Sequence, residues 1–155
     1  MFHLKEGDKA PDFTGLDQDE QTIQLKDLKG KKVILYFYPK DDTPGCTKEA
    51  CNFRDNHKKW QELGYEVIGV SPDTTAKHNK FAFKYDLPFP LIADTEKKII
   101  NDYGVWGPKK FMGKTYDGVH RSTYVINEKG IIEKIITKVK TNESTEQLLQ
   151  VMGLQ

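Results

Sequence analysis

The chain has 155 residues, 24 of them Lys or Arg and 23 Asp or Glu, giving a formal net charge of +1. That length suits one domain over residues 1–155 that buries its core without metal or disulfide staples. The charge balance speaks against nucleic acid or an anionic membrane as the main partner. No apolar stretch approaches the roughly 20 residues that span a bilayer, and the opening Met1-Phe2-His3-Leu4-Lys5-Glu6 lacks the apolar centre of a signal peptide.

In chain order, Val33-Ile34-Leu35-Tyr36-Phe37-Tyr38 is a continuous apolar run, the pattern of a strand buried on both faces, and Pro39 ends it. Beyond the turn Asp42-Thr43-Pro44-Gly45, the residues Cys46, Ala50, Phe53, His57 and Trp60 share one helical stripe, stopped by Gly64. Tyr65 to Val70 reads as a second inner strand. Ser71-Pro72 offers a capping hydroxyl and a first-turn proline for a helix with His78, Phe81, Ala82 and Tyr85 inward. Leu91-Ile92-Ala93 is a short strand, and Asp94 caps a helix ending at Gly104. Residues 105–121 read as irregular, and the Lys31-Lys32 and Lys109-Lys110 pairs as solvated surface. Thr123 to Ile126 and Ile131 to Val139 form a hairpin around Asn127-Glu128-Lys129-Gly130. A closing helix follows Thr141-Asn142-Glu143-Ser144, with Leu148, Leu149 and Val151 inward. The order predicts an α/β domain: a mixed central sheet with helices on both faces.

The expected compartment is the cytoplasm, where thiols stay reduced. The two cysteines are then inert, metal-bound or reactive. Cys46 falls in the first turn of a helix that follows the carboxyl end of an inner strand. Unpaired N–H groups and the helix dipole favour an anion there, so a thiolate is stabilised. Placement alone leaves a packed core thiol equally open.

The neighbours decide between them. The segment Tyr36 to Asp55 contains Pro39, Thr43 and Cys46 in the spacing Pro-x3-Thr-x2-Cys, and it resembles the active-site region of peroxiredoxins, in particular the bacterioferritin comigratory protein or peroxiredoxin Q subgroup. The likeness extends through Gly7 to Phe13, Leu87 to Leu91 with Asp94, and Arg121 to Ile126. It implies a thioredoxin-like fold and a thiol peroxidase with no cofactor, because the sulfur itself carries the electrons. It implies Cys46 as the peroxidatic cysteine, Arg121 as the cation that stabilises the thiolate and the leaving oxygen, and Thr43 as a hydroxyl partner of the peroxide. Pro39 would shape the pocket, and Glu49 would orient Arg121 by a charge-assisted bond. The same resemblance makes Cys51 the resolving cysteine.

Five residues of helix rise about 7.5 Å and turn about 500°, so a Cys46–Cys51 disulfide needs the helix to unwind. An internal disulfide suits thioredoxin or a similar dithiol as reductant, and makes a monomer sufficient. Three rivals remain: a disulfide oxidoreductase, whose cysteines are spaced Cys-x2-Cys; a metal module, for which Cys-x4-Cys lacks a matching His or Cys pair; and a non-catalytic thioredoxin-like sensing or binding protein.

Overall fold

A small hairpin comes first in the computed structural model, which describes residues 1–154. It pairs β1 (Thr14–Leu16) with β2 (Thr22–Gln24), an element the polar opening did not announce. Asp17 makes the turn, its Oδ1 accepting from the N–H groups of Asp19 and Gln21 at 2.9 Å each.

The apolar run becomes β3 (Lys32–Phe37) at the centre of a five-stranded sheet. It pairs in parallel with β4 (Tyr65–Ser71), which pairs in parallel with β5 (Leu91–Ala93). On its other side β3 pairs antiparallel with β8 (Ser122–Ile126), and β8 antiparallel with β9 (Ile132–Ile136). The strand order is β5-β4-β3-β8-β9, the mixed sheet expected from the element order.

Successive β3 side chains enter two separate cores, as a period-two strand requires. Ile34, Tyr36 and Tyr38 face a cluster with Cys46, Ala50, Phe53, Trp60, Phe81 and Leu148. Val33, Leu35 and Phe37 face another with Ile92, Ile99, Tyr103 and Tyr124. Helices α1 (Pro44–Asp55), α2 (His57–Glu62), α3 (Thr75–Tyr85) and α5 (Ser144–Met152) supply the first; α4 (Lys98–Asp102) serves the second.

Several expectations are corrected. The stripe from Cys46 to Trp60 does face inward, but the helix breaks at Asn56, whose φ of −110° ends α1 before α2 begins. Helix α3 starts later than Ser71-Pro72 because β4 runs through Ser71; Thr74 is the cap, its side chain accepting from the Lys77 N–H. Asp94 bonds the Ile100 N–H at 2.8 Å from outside the short α4, which starts after Lys97. Residues 105–121 are not irregular: β6 (Trp106–Phe111) and β7 (Lys114–Val119) form a hairpin turned at Met112-Gly113, both at positive φ. Proline and polar residues in β6 leave it without an alternating apolar pattern. Val151 faces solvent, while Leu148 and Leu149 are buried. Among the described residues, no helix is long and apolar enough to cross a membrane.

Candidate active site

The loop from Pro39 to Thr43 joins the carboxyl end of β3 to α1, which places its residues beyond the carboxyl ends of the parallel strands, where open α/β folds bind ligands. Thr43 is the N-cap by backbone, Pro44 the first helical residue, and Cys46 lies in the first turn. Thr43 does not cap with its side chain; its Oγ1 donates to the Lys40 carbonyl at 2.8 Å. The hydroxyl proton is therefore spent, and the lone pairs are left to accept.

Cys46 is buried at 1% exposure, with Sγ 3.3 Å from Arg121 Nη2, which donates to it. Arg121 precedes β8, and its Nη1 donates to Glu49 Oε1 at 2.8 Å, one helical turn beyond Cys46. One guanidinium thus bridges a thiol and a carboxylate. The burial of Arg121 works against its charge, yet Glu49 and Cys46 outweigh it and hold the group above its usual range. Glu49 is fully buried; desolvation pushes its carboxyl from 4.5 up to about 7, against the pull of Arg121. Among the described residues, Glu49 Oε2 and the buried Tyr36 hydroxyl have no hydrogen-bond partner.

Gly45 permits this arrangement. A Cβ there would lie 3.2 Å from Arg121 Nη2.

The AhpC/TSA family model matches residues 6–135 of the chain. The chain belongs to the AhpC/TSA family, among the peroxiredoxins. As such it is a thiol peroxidase, an oxidoreductase. This peroxiredoxin is 47% identical to peroxiredoxin Bcp of Bacillus subtilis, covering 94% of this chain and 93% of that one. It is 44% identical to peroxiredoxin Bcp of Escherichia coli K12 over 96% of each. Its fold is similar to peroxidoxin BcpB of Mycobacterium tuberculosis, with a TM-score of 0.85 at 32% identity over 97% of each chain. It is likewise similar to a bacterioferritin comigratory protein of Xanthomonas campestris, with a TM-score of 0.85 at 28% identity over 91% and 90% of the two chains. These likenesses make the fold thioredoxin-like.

Of the residues singled out in the sequence, the fold brings Cys46, Glu49 and Arg121 of this peroxiredoxin into one cluster and sets Pro39 and Thr43, both half-buried, on the adjoining loop. Cys51 stays apart. It is half-buried on α1, both thiols are free, and its desolvation holds the thiol pKa up, with Arg54 opposing and Asp55 assisting. The sequence reading missed Lys109, taken for solvated surface. It is partly buried on β6, donates to the Val119 carbonyl at 2.9 Å, and its ammonium is destabilised by burial and by Arg121 while Cys46 favours it. Only the hairpin it belongs to could have signalled this.

Proposed function

We propose that this peroxiredoxin, as a single domain over residues 1–155, reduces hydrogen peroxide and organic hydroperoxides with Cys46 as the attacking sulfur. The Cys46 thiolate attacks the terminal peroxide oxygen. The S–O bond forms as the O–O bond breaks, and the alkoxide or hydroxide leaves to take up a proton as alcohol or water. Cys46 is then a sulfenic acid. The Cys51 thiolate attacks that sulfur, the S–S bond forms, and the sulfenic oxygen departs as water after protonation. Thioredoxin or a similar dithiol returns both cysteines to thiols and is itself oxidised to a disulfide.

The observation that carries this reading is the Arg121 fork, with one nitrogen on Cys46 Sγ and another on Glu49. A fixed cation at a helix start suits both a ground-state thiolate and charge developing on the leaving oxygen. Thr43, with its proton committed to Lys40, suits the role of acceptor for the peroxide O–H. Pro39 at the loop entrance shields the sulfur from water. The Xanthomonas campestris relative is described for alkyl peroxide reduction, which supports organic hydroperoxides as substrates here.

The resolving step needs α1 to unwind, since both cysteines lie on this one helix. With both cysteines in one chain the cycle runs in a monomer, and it belongs in a reducing compartment such as the cytoplasm.

The test is one equivalent of hydrogen peroxide added to reduced protein, followed by thiol blocking and intact mass. Wild type is expected to lose two thiols to one internal disulfide, Cys51→Ser to stop at a trappable sulfenic acid, and Cys46→Ser not to react. An unreacted Cys46 in wild type would sink the assignment. A reacting Cys46 with Cys51 retained as a blocked thiol would shift resolution to an external thiol.

A further inference from the structure

A second polar network, mostly buried, takes no part in the chemistry above, yet it ends on the loop that carries Thr43. Thr43 offers a peroxide only its lone pairs, and their direction follows the Lys40 carbonyl to which its proton is committed. That carbonyl shares a rigid peptide plane with the Asp41 N–H. Whatever fixes the N–H therefore aims the carbonyl, and through it the Thr43 hydroxyl.

The Asp41 N–H donates to Asp73 Oδ2 at 2.6 Å, a charge-assisted bond. The Asp73 side chain is only 11% exposed, and its own N–H donates to Ser71 Oγ at the end of β4. The Asp41 carboxylate is held on both oxygens. Tyr38 Oη donates to Oδ1 at 2.6 Å, and Oδ2 lies 2.6 Å from His78 Nδ1. His78, fully buried on α3, sets its Nε2 3.0 Å from the Ile92 carbonyl on β5. Each ring nitrogen of His78 thus faces an oxygen, one on the Asp41 carboxyl group and one on the β5 backbone. Helix α3 also grips the next residue: Lys84 Nζ and Tyr85 Oη donate to the Asp42 carboxylate at 2.8 and 2.9 Å, and Asp42 keeps a φ of 58°.

Tyr38 just after β3, Asp73 just after β4, and His78 of α3, itself tied to β5, thus converge on Asp41. Burying an imidazole and a carboxylate is costly, and a turn closed by its own threonine does not need it.

We propose that Asp73 and His78 are positioning residues for peroxide reduction, locking the Lys40–Asp41 peptide so that Thr43 presents a lone pair to the substrate hydroperoxide. The proposal rests on the assignment of Thr43 as an acceptor for the peroxide O–H.

The test is a double-mutant cycle in a Cys51→Ser background, which leaves Cys46 as the remaining thiol. Two reactions are timed: sulfenic acid formation with hydrogen peroxide, and alkylation by iodoacetamide, which needs a thiolate but no acceptor for a substrate proton. Asp73→Ala is expected to slow the peroxide reaction about tenfold, the loss of roughly one charge-assisted hydrogen bond, and to leave alkylation unchanged. Asp73→Asn, which keeps an acceptor oxygen, should recover most of the peroxide rate and serves if the alanine variant does not fold. In a Thr43→Val background the Asp73→Ala effect should vanish. His78→Gln, able to reach one acceptor of the two, should give a smaller loss with the same selectivity. Equal losses in both reactions, or an Asp73→Ala effect that persists without Thr43, would overturn the proposal. If Thr43→Val alone leaves the peroxide rate intact, it is the Thr43 assignment that fails.

Discussion

Arg121 reaches Cys46 because the residue before the cysteine has no side chain. A Cβ at position 45 would stand 3.2 Å from Arg121 Nη2, so the guanidinium must give by a few tenths of an ångström. Gly45→Ala is therefore expected to separate stability from activity. The helix gains from alanine, so the Tm holds or rises, while stopped-flow oxidation by peroxide slows several-fold because the fork is displaced. Glu49 gives a second prediction, in pH. Its carboxyl is raised from 4.5 to about 7 by burial, so the folded state holds that proton more tightly than the unfolded state does. The stability this contributes is full below the unfolded value and is lost as pH rises through about 7. Glu49→Gln removes the titration, and Tm measured across this range should flatten. An unchanged slope would mean that another group carries it.

In the proposed cycle, helix α1 is stable enough to present Cys46 and loose enough to release it. Its tie to the carboxyl-terminal segment is concentrated in Asn52, next to Cys51. Asn52 Oδ1 accepts from the Thr145 N–H at 2.8 Å, and its Nδ2 donates to Glu146 Oε1 at 2.9 Å and to the Asn142 carbonyl at 3.3 Å. Unwinding toward a Cys46–Cys51 bond must break this set. Asn52→Ala is expected to leave the first oxidation step unchanged and to speed disulfide formation about three- to tenfold, the value of one or so net hydrogen bonds. It should also lower the fraction over-oxidised to sulfinic acid in excess peroxide. Because burial holds the Cys51 thiol pKa up, the disulfide step should also accelerate with rising pH through and above neutrality, as more thiolate forms. Disulfide formation that is slower, or indifferent to pH, would contradict this.

Across the whole molecule the two faces of the sheet divide the work. Cys46, α1, α2, α3 and α5 share one core, and α4 with the residues leading into the β6–β7 hairpin belongs to the other. Trp60 ties α2 to α5, its Nε1 donating to Thr145 Oγ1 at 3.1 Å. Oxidation should therefore loosen one face and spare the other. Hydrogen exchange on the disulfide form is expected to show protection lost over residues 44–55 and 141–146, with β3, β4 and β8 unchanged. Loss spread through the central strands would mean global rather than local opening.

Much of this was legible in the sequence because it depends on local pattern. The apolar run Val33 to Tyr38 specifies a strand buried on both faces wherever it sits, and the spacing Pro39, Thr43, Cys46 places a cysteine in a first helical turn. Composition and element order sufficed for a mixed sheet with helices on both faces. What the sequence left open is held by contacts between distant residues. Arg121 lies 75 positions from Cys46, and only the antiparallel β3–β8 pairing brings them within 3.3 Å. Lys109 read as surface and His78 as simple packing, because an isolated side chain carries no sign of the partner it will meet. The β6–β7 hairpin escaped notice for the same reason, since its strands are polar and its pairing, not its periodicity, makes it a sheet. Local sequence marked the main strands and helices and the candidate nucleophile Cys46; the cation, the carboxylate beside it and the contacts on the loop were decided by tertiary structure, because each depends on desolvation and pairing that exist only once the chain has folded.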